Sequence, residues 1–173
     1  HGADILIDGF ARFSQVHPGY TLRFIGNGVD RPAVEVRARE LGVEPQIEYL
    51  DPVPPTQLLP HMGAAVASLA TIKPGTVYEY SYASKAYSSL MAGCPVLFAG
   101  PGPTIDLIQG GITEGVRAGR ACEYDADAIA AAMSELAEFR ATNQERKELA
   151  DWTARNHSLQ VVAGRVTDIL LKT

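Results

Sequence analysis

The sequence predicts an α/β fold in which a Rossmann-like, doubly wound parallel sheet carries helices on both faces. Short apolar runs alternate along the chain with segments whose apolar residues recur every three or four positions. The run Val96–Ala99 is wholly apolar, which is typical of a strand buried on both faces of a parallel sheet. The chain has no internal repeat, low-complexity tract or linker, which predicts a single domain over residues 1–173.

Elements in the first half of the chain follow from periodicity and from residues that end helices. Leu6, Phe10 and Phe13 share one helical face. Pro18 and Gly19 end that helix, and later segments that are rich in β-forming residues or wholly apolar predict strands. The predicted order is helix 4–16, strand 20–25, helix 31–41, strand 46–50, helix 56–61 with Thr56 as its N-cap, and strand 64–70.

The second half continues this alternation after a long loop. Ser84 is expected to cap a short helix that Gly93 ends. Ile129 and Met133 belong to the apolar stripe of a later amphipathic helix. The predicted order is loop 71–82, a helix from Ser84, strand 96–99, a short helix around 105–108, strand 121–124, a helix through 129–136, and helices 143–155 and 158–171.

Composition excludes several classes of protein. No apolar run approaches the roughly 20 residues of a membrane span, and no secretory signal is expected. A net charge of −5 with scattered lysines and arginines argues against nucleic acid as a partner. Cys94 and Cys122 form no CxxC pair and are expected to be free thiols in a reducing cytoplasm. The four histidines have no neighbours at ligand spacing, so no metal site is predicted.

Ligands of open parallel sheets bind beyond the carboxyl ends of the strands, and four loops have that position. The glycines of Gly26-Asn27-Gly28 indicate either a tight turn or backbone amides near a phosphate or sugar. Gly100-Pro101-Gly102-Pro103 is interpreted as a rigid turn, because its prolines have no N–H to donate to a phosphate. The other two loops are 51–55 and 71–82, the latter leading to Ser84.

The helix start at Ser84 is the preferred anion site. Free N–H groups, the Ser84 hydroxyl and the Lys85 ammonium suit a diphosphate, although an ordinary cap beside a solvated lysine is the alternative. Glu79 lies in the long loop after an apolar strand and is the one carboxylate placed for chemistry on a substrate. The alternative for Glu79 is a solvated surface residue. No catalytic triad can be assembled.

The order of these motifs resembles the C-terminal lobe of retaining GT-B-fold glycosyltransferases, the group of glycogen-synthase-like and bacterial cell-envelope enzymes. The resemblance covers nearly the whole chain. It rests on the opening helix at 2–10, a strand ending in Gly-x-Gly at 24–28, a strand with Val-Pro at 47–54, Ser-Lys-x-Tyr at 84–87, Ala-x-Gly-x-Pro-Val up to Val96, and an αβ turn at 124–129.

The resemblance implies a nucleotide-diphospho-sugar donor that lies across these loops and gives a hexosyl group to an acceptor hydroxyl. In such enzymes the base packs against backbone at the positions of Pro52 and Val53. The diphosphate meets amides at the positions of Ala83 and Ser84 and is stabilised without a metal. No cofactor is expected besides the donor itself.

The sequence differs from this group in the residues that would bind the ribose of the donor nucleotide. The glutamate that usually binds the ribose hydroxyls is Ser88 here, and Tyr80 occupies the position of the other glutamate of the usual pair. Ser88 could still bond a ribose hydroxyl, but more weakly than a carboxylate that accepts from two hydroxyls. This departure leaves open a non-catalytic module that binds a nucleotide or a partner protein. The lobe of a sugar-nucleotide epimerase, which shares the fold, is also open.

The resemblance also implies a larger enzyme. Its cations for the diphosphate lie before the first helix, and His1 stands at the lysine position. The first strand of this lobe and the N-terminal acceptor lobe are expected to lie outside residues 1–173. We therefore expect the isolated chain to bind donor nucleotide weakly and to transfer nothing. The full enzyme is expected in cell-envelope polysaccharide synthesis in the cytoplasm, with peripheral association at the inner face of the membrane left open.

Overall fold

The structure is a computed structural model that describes residues 2–171, so His1 lies outside the described residues. Within that range, short parallel strands alternate with helices, which confirms the predicted α/β class. The strands are β1 Leu22–Ile25, β2 Ile47–Leu50, β3 Ser68–Thr71, β4 Val96–Ala99 and β5 Gly119–Cys122. The α-helices are α1 Asp4–Val16, α2 Arg31–Glu40, α3 Pro55–Ala64, α4 Ser84–Met91, α5 Thr104–Thr113, α6 Ala126–Glu138, α7 Asn143–His157 and α8 Leu159–Leu171. Two 3-10 turns cover Glu44–Gln46 and Val77–Tyr80.

The strands form two ladders rather than one. β1 pairs with β2, and β3, β4 and β5 pair in that order, all of them parallel. Leu22 lies opposite Ile47 in the smaller sheet, and Val96 lies opposite both Ser68 and Gly119 in the larger one. No ladder joins β1 to β3 among the described residues. The structure thus divides the single sheet that the sequence predicted.

β4 is the centre of the core, and its alternate residues face opposite sides. Leu97 and Ala99 belong to a cluster with apolar residues of α1, α2 and α6. Val96 and Phe98 belong to a second cluster with residues of α4, α5 and α7. All four residues are fully buried, as expected of a central strand covered by helices on both faces.

Two details of the third helix and strand differ from the prediction. The strand expected over 64–70 is Ser68–Thr71, because α3 continues to Ala64. A short run of alanine and valine is compatible with either structure, and the helix takes its first part. Thr56 does not cap α3, since the N-cap is Pro54 and no side chain caps this helix.

The closing helix α8 has no buried residue, and most of its apolar side chains are exposed. No helix within residues 2–171 is long and apolar enough to cross a membrane.

Candidate functional site

The carboxyl ends of the two sheets lie at one edge of the molecule. At the opposite edge, the Arg23 guanidinium of β1 lies 3.0 Å from Nδ1 of His61, in the helix that precedes β3. This contact places the start of β1 beside the helix that leads into β3, and residues at both ends of the two strands line one cavity. The loops that follow them, residues 26–30 and 72–83, meet at the edge where ligands of parallel sheets bind.

The start of α4 differs from the prediction. The N-cap is Ala83 rather than Ser84, and no side chain caps the helix. The Ala83 N–H donates instead to Oγ1 of the fully buried Thr104, at 2.9 Å. The amides of Ser84 and Lys85 donate to no acceptor within residues 2–171. Two amides of the first turn are therefore free for a ligand, and that of Ala83 is already engaged.

Lys85 is exposed on this first turn, and Ser88 is exposed as well. The Lys85 ammonium forms no ion pair with any described residue, so its charge is not neutralised within residues 2–171. A free cation beside free N–H groups at a helix start attracts anions. Ser88 lies one turn further along α4.

Glu79 is held by its own loop. Its carboxylate accepts a hydrogen bond from the Gly75 N–H, within the segment that contains the 3-10 turn. The backbone of the loop after β4 packs directly against this loop, because a Cβ at Gly102 would overlap the Glu79 carbonyl. Gly102 also has a φ of +113°, which glycine adopts without strain. The Gly-Pro-Gly-Pro turn thus fixes the position of the segment that carries Glu79.

The loop after β1 is a tight turn, and Arg31 at its end forms hydrogen bonds with two neighbouring side chains. The Gly26 N–H donates to the carbonyl of Leu50, and φ of Gly26 is +122°. Asn27 Oδ1 accepts a hydrogen bond of 2.8 Å from Arg31, whose Nε donates to Glu35 at 2.9 Å. The Asn27 side chain is therefore already engaged.

A cavity of about 1150 Å³ opens at this edge. Of the predicted site residues, Gly26, Ala83, Ser84 and Lys85 line it. From this edge the cavity extends into the molecule between β1 and β3, along apolar residues of the core. The volume exceeds that of a typical small-molecule pocket, so a ligand at the mouth would occupy only part of it.

The remaining predicted residues do not line the described cavity: Asn27, Pro52, Val53, Glu79 and Ser88. Pro52 and Val53 follow β2, which pairs with β1 and contributes Tyr49 alone to the cavity lining. A ligand that contacts both α4 and Pro52 must therefore extend across the end of β1.

No protein-family model matches the chain. The D-inositol 3-phosphate glycosyltransferase of Corynebacterium kroppenstedtii is 32% identical to it over 108 residues. That match covers 58% of this chain and 23% of the relative. The chain therefore matches less than a quarter of this relative's length.

Solved structures match nearly the whole chain. A glycosyltransferase from Rickettsia africae gives a TM-score of 0.71 at 13% identity, over 95% of this chain and 42% of its own. The Anabaena protein HepE, solved in complex with UDP-glucose, gives 0.70 at 18% identity, over 99% and 45%. The chain has the fold of one lobe of a GT-B glycosyltransferase. The resemblance inferred from the order of motifs is confirmed.

Neither cysteine of the chain is set up as a nucleophile. Both thiols are free, as predicted. Burial, together with Glu123 and Asp125, raises the pKa of Cys122 to about 11, and burial also raises the pKa of Cys94. A thiol with a raised pKa stays protonated and unreactive at neutral pH. No group of three or more His, Cys, Asp or Glu residues within 2–171 could hold a metal ion.

Sequence reasoning missed two residues that shape the mouth of this lobe. Thr104 holds the Ala83 amide across 21 residues of sequence, and no local pattern reports such a contact. Arg31 bonds Asn27, and its guanidinium lies 5.2 Å from the centre of the Tyr49 ring. The spacing of four residues between Asn27 and Arg31, across a helix start, was the available signal.

Proposed function

We propose that the chain is the donor-binding lobe of a glycosyltransferase and that it holds the diphosphate of a nucleotide-sugar at the start of α4. The observation that carries this proposal is the pair of free amides at Ser84 and Lys85, beside an ammonium without an acidic partner. N–H groups at a helix start and a nearby cation are together suited to a dianionic group.

The same groups would assist transfer of a hexosyl group to an acceptor hydroxyl. As the bond to the anomeric carbon breaks, negative charge develops on the leaving diphosphate. Amides and a cation that are already oriented towards it stabilise that charge more than they stabilise the bound donor. In this proposal Ser84 and Lys85 act on the leaving group, and Glu79 contacts the sugar.

The nucleoside would extend from α4 across the end of β1 towards the segment after β2. Gly26 and Asn27 lie between these two points, and Pro52 and Val53 offer an exposed proline and a half-buried valine to a base. Ser88 is exposed one turn beyond Ser84, in a position to bond a ribose hydroxyl. HepE was solved with UDP-glucose, so UDP is the first nucleotide to test.

The test is isothermal titration of the chain with UDP, GDP and ADP. We expect one base to bind with a high-micromolar to millimolar Kd. Lys85→Ala should weaken that binding by about 1–2 kcal/mol, roughly tenfold, because the ammonium pairs with phosphate in a partly screened cleft. Lys147→Ala is the matched control, since Lys147 is exposed on α7 and paired with Asp151. Equal affinities for the two variants would contradict the proposal.

A second candidate, a lobe that binds nucleotide without catalysis, is favoured by Ser88. The serine has one hydroxyl where the related group has a carboxylate. Ser88→Glu should then increase affinity for the preferred nucleoside diphosphate several-fold by accepting from the ribose hydroxyls. Ser88→Gln is the uncharged control. If the wild-type chain bound none of the three nucleotides, the result would favour a module that binds a partner protein instead.

A further inference from the structure

Lys73 follows the end of β3 by two residues, and its side chain is exposed. Its ammonium forms no ion pair with any residue in the described range 2–171. Lys85 at the start of α4 shares both properties, whereas Lys147 on α7 is paired with Asp151. Two ammonium groups without an acidic partner therefore stand near the two ends of the loop that joins β3 to α4.

The backbone at Lys73 is held in place from both sides. The Ile72 N–H donates a hydrogen bond of 3.1 Å to the carbonyl of Ala99. Gly100 packs so closely on this residue that a Cβ there would overlap the Ile72 carbonyl. On the other side, the Thr76 hydroxyl donates a hydrogen bond of 2.9 Å to the carbonyl of Lys73. The larger sheet thus fixes the point from which the side chain extends, while the ammonium itself is free to bind.

Contacts with Gly2 show at which edge Lys73 lies. A Cβ at Gly2 would lie 3.4 Å from the Cβ of Lys73. The Tyr124 hydroxyl, just after β5, donates a hydrogen bond of 2.9 Å to the Gly2 carbonyl. Because β3 and β5 are both parallel to β4, the segments that follow them lie at the same edge. Lys73 therefore lies at the carboxyl edge, where ligands of parallel sheets bind.

Both ends of the loop between β3 and α4 rest on the turn that follows β4. Ile72 packs on Gly100, and the Ala83 N–H donates to Thr104. Four residues separate Gly100 from Thr104, which limits the distance between their Cα atoms to about 14 Å even in an extended chain. Since a lysine has a flexible four-carbon stem, the ammonium groups near the two ends can approach one small ligand from different sides.

The ligand that suits this arrangement has two adjacent negative groups. One phosphate is sufficient to use the free amides of Ser84 and Lys85 at the start of α4. A second phosphate bonded to the first carries its own charge beyond those amides, and it needs a separate cation. A lysine ammonium is a compact, strongly charged donor that often binds phosphate.

We propose that Lys73 is the second cation of the diphosphate site and pairs with the phosphate that the amides of α4 do not hold. This inference rests on the proposed function and adds a residue to it. The resemblance placed the cations for the diphosphate before α1, whereas Lys73 belongs to the loop after β3. A cation already positioned there would also stabilise the charge that develops on the departing diphosphate.

The test compares ligands with one and two phosphates by isothermal titration. The probes are the preferred compound among UDP, GDP and ADP, the matching monophosphate, and inorganic pyrophosphate. Lys73→Gln should weaken diphosphate binding by about fivefold to tenfold and monophosphate binding by less than about twofold, because one charged hydrogen bond is lost. Lys73→Arg keeps the charge and should retain most of the affinity. Lys147→Gln is the matched control, since Lys147 is exposed but already paired.

The outcomes separate this inference from the proposed function. If Lys85→Ala weakened diphosphate binding and Lys73→Gln did not, the proposed function would stand and the second cation would be overturned. Equal losses for the diphosphate and the monophosphate would also overturn it, since they would show a general attraction for anions. If the chain bound no nucleotide but bound pyrophosphate through Lys73, the second cation would be supported and the nucleotide would be wrong. Binding of pyrophosphate that does not depend on Lys73, or binding of none of the probes, would overturn the inference.

Discussion

The two sheets of this lobe differ in how complete they are. In the larger sheet, β4 has a partner on each side and four fully buried residues. In the smaller sheet, each strand has one buried residue, Leu22 or Ile47, and the others are exposed or half-buried. The larger sheet is therefore fully paired at its central strand, and α4 packs against it. The smaller sheet packs against α1 and borders the cavity between β1 and β3.

The largest expected effect of this difference appears when a phenylalanine is truncated in each sheet and the loss in free energy of unfolding is compared. Phe98→Ala in β4 should lower the free energy of unfolding by about 3–5 kcal/mol, because a fully buried ring leaves a cavity. Phe24→Ala in β1 should cost about half of that or less, since Phe24 is only half-buried and stacks on Tyr49 at 5.7 Å. Urea denaturation measures both, and equal losses would contradict the comparison.

The contact between Thr104 and Ala83 links the larger sheet to the mouth. Thr104→Val should lower the free energy of unfolding by about 1–3 kcal/mol, because the Ala83 N–H loses its acceptor. Thr104→Ser keeps the hydroxyl and should recover most of the loss. Thermal unfolding of the three proteins checks this. A valine variant as stable as the wild type would show that water replaces the hydroxyl.

The glycine turn after β4 provides a second probe of the same region. Gly102→Ala should destabilise by about 1–3 kcal/mol, because φ is +113° and a Cβ would overlap the Glu79 carbonyl. Gly110→Ala is the opposite control: Gly110 lies within α5 with open space around its Cβ position. That substitution should stabilise by about 0.5–1 kcal/mol. Chemical denaturation measures both variants. If both substitutions changed the free energy of unfolding in the same direction, the result would argue against close packing of the loop after β4 on the loop that carries Glu79.

The smallest expected effect is on the free energy of unfolding at acid pH. Backbone and side-chain hydrogen bonds from Thr142 and Arg117 lower the pKa of Glu145 from 4.5 to about 2. The contribution of this carboxylate is therefore present above pH 4.5 and is lost as the pH falls towards 2. Glu145→Gln retains a capping side chain without a charge that titrates. We expect the wild type to lose more stability than this variant between pH 5 and 2, and parallel pH profiles would contradict the assignment.

Local patterns in the sequence predicted the elements well where they are strong. Helix 4–16 and strand 96–99 have the predicted bounds, because each combines a clear apolar pattern with residues that end it. The strand expected at 64–70 began too early, because alanine and valine do not distinguish a strand from the end of a helix.

Features that depend on distant contacts could not be predicted. The N-cap of α4 is Ala83 rather than Ser84, and Thr104, distant in sequence, accepts from its amide. The division of the sheet depends on which strands pair, and no local pattern reports that pairing. The predicted diphosphate site itself lies at one edge, as the rule for parallel sheets requires, but which of its residues contact a ligand stays a prediction.

Amide chemical-shift mapping of the chain with the nucleoside diphosphate that it prefers tests the central claim most directly. We predict that the largest shifts occur at the free amides of Ser84 and Lys85, with smaller ones at Gly26 and Asn27. The amide of Ala83, bonded to Thr104, should move less than its two neighbours. Shifts centred on β1 and β3 or on α8, with none at the start of α4, would contradict the account.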